Sequence, residues 1–193
     1  MYEREVREMV NYMNEYMVTF KDFLALDGDA DAWYTFKREA YASDLICDGY
    51  SLAEGACRAC IIDNENELAY KFDITPIDYC ERERLHYLEA VDAHLEQYFV
   101  PVEKVHLDEY NRDVYVQPLV AVDEDYNMEY ISDGIDFDEE EFQDSCDLVM
   151  NCLPERLVDF LNEHEINDLH EGNISIDDDG NIVIFDYAGY DVE

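Results

Sequence analysis

The segment from Ile166 to Gly189, INDLHEGNISIDDDGNIVIFDYAG, constrains the chain more tightly than any other. Its apolar run Asn181–Phe185 reads as a buried strand that leads directly into Asp186. Just upstream, Asp179-Gly180-Asn181 is a strong hairpin-turn signal. The expected picture is a polar loop, a tight two-stranded ribbon and an aspartate at the ribbon's far end. Such a ribbon brings Asp168, Asn173 and Asp186 together although 18 residues separate the outer two. Two carboxylates and a carboxamide converging on one point form an all-oxygen site of the kind Mg²⁺ prefers. The plainer alternative is an acidic turn that caps its own backbone amides.

A chain of 193 residues suffices for one domain or two small lobes. With 16 Tyr and 9 Phe against only four Pro and seven Gly, it has the material for a folded core. Opposing this is a formal charge of −38, which destabilises the compact state by self-repulsion and makes stability sensitive to salt. Solubility or a halophile's surface would explain the acidity, although six Cys and many Ile fit a halophile poorly. The sharper explanation is a surface for basic proteins, with direct nucleic-acid binding disfavoured. No apolar run approaches the length of a membrane span, and MYEREVREMVNYM lacks a signal peptide's apolar core. A cytoplasmic setting with reduced thiols follows as an expectation. Cys57-Arg-Ala-Cys60 is a single C-x-x-C on an expected strand, so its cysteines would face opposite ways.

Along the chain, Val6, Met9, Val10, Met13, Met17, Phe20 and Leu24 predict one helix over 2–26. Asp27-Gly28-Asp29 ends it, and a second helix is expected over Ala30–Ala42. Both read as a brace (1–44) on the sheet that follows. Short β-rich runs come next: Leu45–Cys47, Cys57–Ile62 and Leu68–Phe72, with Asp48–Ala56 as a connection. Thr75–Glu96 predicts a helix in which Tyr79, Glu83, Tyr87 and the Leu85/Leu88 pair give one apolar side. Phe99–Val105 and Val114–Val122 predict a hairpin that completes five strands, closing a unit over 45–122. Residues 123–147 hold 12 acids and no Lys or Arg, usually the mark of a solvated loop. Helices at Phe142–Cys152 and Pro154–Glu163 lead into the loop at Asp168, giving an α+β fold whose last part, 123–193, is mostly helical.

In D-L-H-E-G-N, followed by a strand and an Asp, the chain resembles the catalytic loop and metal-binding Asp of the protein-kinase-like fold. The wording is closest to aminoglycoside-phosphotransferase-like kinases and small phage-encoded kinase-like proteins. The resemblance implies Asp168 as catalytic base, and Asn173 and Asp186 as Mg²⁺ ligands beside ATP. It makes Leu68-Ala69-Tyr70-Lys71 similar to the V-A-I-K strand, with Lys71 on the α/β-phosphates. Gly49, Ser51 and Gly55 would then occupy a degenerate glycine-rich loop, 22 residues separating Gly49 from Lys71. Glu83 is the expected partner of Lys71, because Tyr87 one turn on would turn the same face inward; Glu81 is the competitor. Gln117-Pro118-Leu119 resembles the hinge that hydrogen-bonds adenine.

Two departures stand out. The glycine of Asp186-Tyr187-Ala188-Gly189 is one place later than in D-F-G, and Ile166 stands where the kinase loop has His. With the sequence ending at Glu193, the resemblance leaves no activation segment or peptide groove, hence a truncated C-lobe. Two functions are expected from these residues. One is a minimal Mg²⁺/ATP-dependent phosphotransferase, of the phage protein-kinase type, acting on host proteins. The other is a kinase-fold binding protein whose acidic surface mimics DNA and blocks a basic host DNA-binding or defence protein.

Overall fold

The computed structural model describes residues 1–43, 49–120, 153–166, 169, 173–176 and 182–189. It divides into two compact units, Met1–Arg84 with Pro101–Leu119 and Leu85–Val100 with Val120–Glu193. The described elements mix α and β, with a five-stranded antiparallel sheet as the largest.

The first unit begins with α1 (Glu3–Tyr16), which buries Val6, Met9, Val10 and Met13 along one face. The single helix expected over 2–26 is instead two. Met17 is extended at φ −130°, and α2 (Val18–Ala25) starts afresh beyond it. The reason is tertiary: the Glu39 carboxylate accepts hydrogen bonds from the Val18 and Thr19 amides at 3.2 and 2.8 Å. These are amides that a continuous helix would have bonded internally. Glu39 lies on α3 (Ala30–Ala42), whose N-cap Asp29 accepts from the Ala32 amide at 3.0 Å. Between α2 and α3, Gly28 has φ +66°, and a Cβ there would stand 2.7 Å from the Thr75 carbonyl oxygen. Only glycine permits both the turn and that approach.

The sheet comprises β1 (Tyr50–Glu54), β2 (Arg58–Asp63), β3 (Leu68–Asp73), β4 (Glu103–Leu107) and β5 (Arg112–Pro118). Its order is β1-β2-β3-β5-β4, antiparallel at every step. Leu45–Cys47 lies outside the described residues, and the first described strand falls inside the segment 48–56 expected as a loop. Cys57 precedes β2 instead of opening it, and Phe99–Val102 precedes β4. Alternation of side chains sends Ala59, Ile61, Tyr70, Phe72, Val114 and Val116 into one core with Phe20, Phe23, Trp33 and Phe36 of the helices. Phe23 meets Trp33, Phe36 and Phe72 at 5.2–6.0 Å between ring centroids. Each such buried aromatic contributes about 1.5–3 kcal/mol. The helices therefore cover the apolar face and leave Arg58, Lys71 and Gln117 on the other.

From β3 the chain enters α4 (Tyr79–Asp92). It starts later than the expected Thr75, because the buried Asp73 side chain caps it by accepting from the Cys80 amide at 3.1 Å. Of the residues expected on its inward side, Tyr79 and Glu83 are buried but Leu85 and Leu88 are exposed, and Cys80, His86 and Ala90 complete the buried face.

The second unit contains the outer half of α4, a 3-10 turn at Glu96–Tyr98, α5 (Glu155–Glu163) and the ribbon β6 (Ile174–Ile176) with β7 (Ile182–Ile184). Pro154 is the N-cap of α5, which buries Leu157, Phe160 and Leu161. The ribbon is antiparallel, with Ile174 opposite Ile184. The Val100 amide donates to the Ile184 carbonyl at 3.0 Å, and the Tyr187 hydroxyl donates to the Val100 carbonyl at 2.6 Å. The expected helix Phe142–Cys152 and the acidic run 123–147 fall outside the described residues. Among the described residues no helix is long and apolar enough to cross a membrane.

Candidate functional site

In the first unit, the face of the sheet away from α1–α3 carries a buried charge cluster. Lys71 sits on β3 between Cys60 of β2 and Tyr115 of β5. Its ammonium donates to both carboxylate oxygens of Glu83, at 3.0 and 2.9 Å. Glu83 is wholly buried and Lys71 nearly so. A carboxylate so far from water is tolerated only when its lone pairs are filled by donors. Here two more donors serve it: Arg58 Nη1 at 3.0 Å and Gln117 Nε2 at 3.2 Å. Three strands and a helix thus fix one carboxylate, and through it one ammonium.

Glu81, the alternative partner, is engaged elsewhere. It accepts from Arg84 at 2.7 Å and from the Tyr115 hydroxyl at 3.0 Å, and it pairs with Lys104 at 3.3 Å. The hydrogen bonds from Arg84, above all, draw its carboxyl down to about 2. Asp73, which caps α4, is pushed the opposite way, up to about 6, because burial penalises its charge more than the Cys80 amide supports it.

The residues expected around a nucleotide are distributed differently from the sequence reading. Ser51 lies within β1, opposite Ile62. Gly49 precedes that strand at φ +92°, and its carbonyl accepts from the Asn64 amide at 2.8 Å. Gly55 alone occupies the β1–β2 turn, where its amide donates to the Arg58 carbonyl and a Cβ would meet nothing within 4 Å. The Gln117 side chain turns to Glu83, and the Leu119 amide donates to the Glu67 carbonyl at 2.8 Å. That amide is accordingly committed within the sheet, and a hinge contact through it would require Glu67 to let go.

In the second unit, the ribbon brings two of the three expected oxygen ligands to one end. Asn173 immediately precedes β6, Asp186 lies two residues beyond β7, and the Phe185 amide donates to the Asn173 carbonyl at 2.9 Å. Asn173 is buried. Asp186 has φ 60°, a left-handed conformation that costs energy for any residue with a Cβ and is least unfavourable for Asp and Asn. Asp168 lies outside the described residues.

Arg58 and the side chain of Gln117 escaped the sequence reading. Arg58 was hidden inside the Cys57–Cys60 pattern, although its place two residues before Cys60 puts it on the same strand face. With only 12 basic residues against 50 acidic ones, an arginine within a β-rich run was the available signal.

Comparisons with protein-family models and with curated proteins find no match for this chain.

Proposed function

We propose that the chain is a minimal Mg²⁺/ATP-dependent phosphotransferase of protein-kinase-like architecture. The observation that carries this reading is the buried Lys71–Glu83 pair, set on the third strand and the following helix of a β1-β2-β3-β5-β4 sheet. A lysine held this way is a fixed positive charge at the sheet surface, suited to nucleotide phosphates. The ribbon supports it independently, because Asn173 and Asp186 offer oxygen donors at one end. These donors fit Mg²⁺, which when bound would neutralise charge on the β- and γ-phosphates. Asp168 is assigned the role of accepting the proton from the acceptor hydroxyl as the hydroxyl oxygen bonds to the γ-phosphorus and the bond from that phosphorus to the β,γ-bridging oxygen breaks, with ADP as the leaving group. Lys71 orients the α/β-phosphates, and Glu83, Arg58 and Gln117 keep it in position. A mostly helical C-lobe and a protein substrate belong to the same reading.

Calorimetric titration of the chain with ATP, with and without Mg²⁺, tests it directly. Saturable binding that requires Mg²⁺ and is lost in Lys71→Met supports it, as does transfer of labelled phosphate that disappears in Asp168→Ala. A chain that binds no nucleotide under either condition overturns it.

A second reading is favoured by the charge of −38: a kinase-fold binding protein whose carboxylates take the place of nucleic-acid phosphates on a basic host protein. Under it, a retained partner is released by moderate salt, and the hold weakens when Glu139, Glu140 and Glu141 are neutralised. Unchanged retention in that variant excludes charge mimicry through this segment.

A further inference from the structure

A different set of side chains lies in the second unit. His86 and Glu89 are three apart on α4 and so share one face of the helix. His164 is the C-cap residue of α5. His164 Nδ1 stands 3.0 Å from Glu89 Oε2, the two imidazole rings are 5.8 Å apart between centroids, and one potential ligand atom from each of the three residues falls within 4.8 Å of the others. We propose that His86, Glu89 and His164 form a binding site for a borderline transition-metal cation of the Zn²⁺ class.

The chemistry of the donors carries the assignment. Two imidazoles and a carboxylate are the donor types that select Zn²⁺ over Mg²⁺ or Ca²⁺, which prefer oxygen alone. His86 is oriented as metal-binding histidines are: its Nδ1 is 3.0 Å from the Tyr187 carbonyl. A carbonyl oxygen can only accept, so Nδ1 carries the proton and the lone pair of the neutral ring is on Nε2. Metal–ligand bonds of about 2.1 Å in a tetrahedron put neighbouring ligand atoms about 3.4 Å apart. The His164–Glu89 separation is already near that value. Closing the remaining distance needs rotation of Glu89 and His164, which are only partly buried (side-chain exposure 51% and 23%). Three ligands leave a fourth position for water or an exogenous group. An ion there would join the outer half of α4 to the end of α5. The competing account is an ordinary His164–Glu89 ion pair with His86 as a packed neighbour.

The experiment uses the full chain, stripped with a chelator and dialysed into excess Mg²⁺ so that surface carboxylates are occupied. Zn²⁺ is titrated against a chromophoric chelator, and Co²⁺ is followed by its visible d–d absorption. The expected result is one equivalent bound per chain, with Co²⁺ bands of tetrahedral intensity and no sulfur-to-metal charge transfer. Glu89→Ala and His164→Ala, both at partly exposed positions, should each weaken binding by at least about tenfold while circular dichroism stays unchanged. Cys57→Ser/Cys60→Ser should bind as the parent does. Binding unaffected by both Glu89→Ala and His164→Ala, or lost in the cysteine variant, overturns the proposal. So does the absence of stoichiometric binding, which leaves the ion pair alone. Nucleotide binding is read separately and does not bear on this result.

Discussion

Glu83 shares its carboxylate between two cations: Oε2 lies 2.9 Å from Lys71 Nζ and 3.0 Å from Arg58 Nη1. The sharing makes the three residues unequal. Removing Lys71 leaves Glu83 still paired with Arg58, whereas removing the carboxylate takes away the acceptor that both cations share. Breaking a buried pair costs about 3–5 kcal/mol. Lys71→Met is expected at the lower end of that range and Glu83→Gln at the upper end, measured as shifts in urea midpoint. An equal or reversed ranking would show that Arg58 contributes nothing to holding the carboxylate.

Asp73 gives a pH dependence of defined sign. Its folded-state value is raised from 3.8 to about 6, chiefly by burial, with Arg58 and the Cys80 amide opposing. The folded chain therefore binds this proton more tightly than the unfolded chain does. Stability from this group is fully present below about pH 4 and is lost as pH rises through 6. The full difference is at most about 3 kcal/mol. Asp73→Asn keeps an oxygen to accept from Cys80 but cannot ionise. Its stability relative to the parent should rise between pH 4 and 7, as read from denaturant midpoints across that range. A constant difference between the two proteins would mean that Asp73 ionises in the fold as it does unfolded.

Legibility in the sequence followed how local each determinant was. Helix α3 was readable to its ends because its determinants, the N-cap Asp29 and the aromatic spacing up to Ala42, are local. The β6–β7 ribbon was readable from its strand pattern and turn signal. The break at Met17 was not, since the apolar spacing runs through it and its cause is Glu39, on a later helix. The inward face of α4 was readable only in part, at Tyr79 and Glu83, for a related reason. Leu85 and Leu88 mark an apolar side by hydropathy, but the buried side carries Glu83 and His86. Those polar groups can be buried only because Lys71, Arg58, Gln117 and the Tyr187 carbonyl come to meet them from distant parts of the chain. Strand β1 was missed because glycines on either side of a short run imitate a loop.

Arg112 ties the end of α2 to the sheet. Its side chain, 1% exposed, donates to the carbonyls of Phe23 at 3.2 Å, Leu26 at 2.8 Å and Asp73 at 3.0 Å, and lies over the Phe23 ring at 4.9 Å. Two of those carbonyls lie at the C-terminal end of α2, where intrahelical donors run out and the Leu26 amide alone reaches back to Phe23. Hydrogen bonds from a charged donor are worth about 1.5–3 kcal/mol each and are not additive. Arg112→Met is expected to cost at least about 3 kcal/mol in chemical denaturation. Arg112→Lys should recover less than half of that loss, because an ammonium cannot span the fork that reaches three carbonyls. Full recovery by lysine would show that charge alone matters here.

Asp186 separates conformational cost from chemistry. Its φ of 60° is held by a residue with a Cβ, two residues beyond the end of β7. An L-residue in this region is disfavoured by roughly 1–2 kcal/mol relative to glycine. Asp186→Gly and Asp186→Ala both delete the carboxylate, so the difference between them isolates the backbone. The glycine variant should melt at the higher temperature, by an amount corresponding to about 1 kcal/mol. Both should lose Mg²⁺-dependent nucleotide binding under the phosphotransferase reading, whatever their stability. If the glycine variant is the more stable of the two yet still binds MgATP as the parent does, the strained aspartate is not a metal ligand. If alanine is tolerated as well as glycine, the left-handed turn carries no cost at this position and Asp186 is there for another reason.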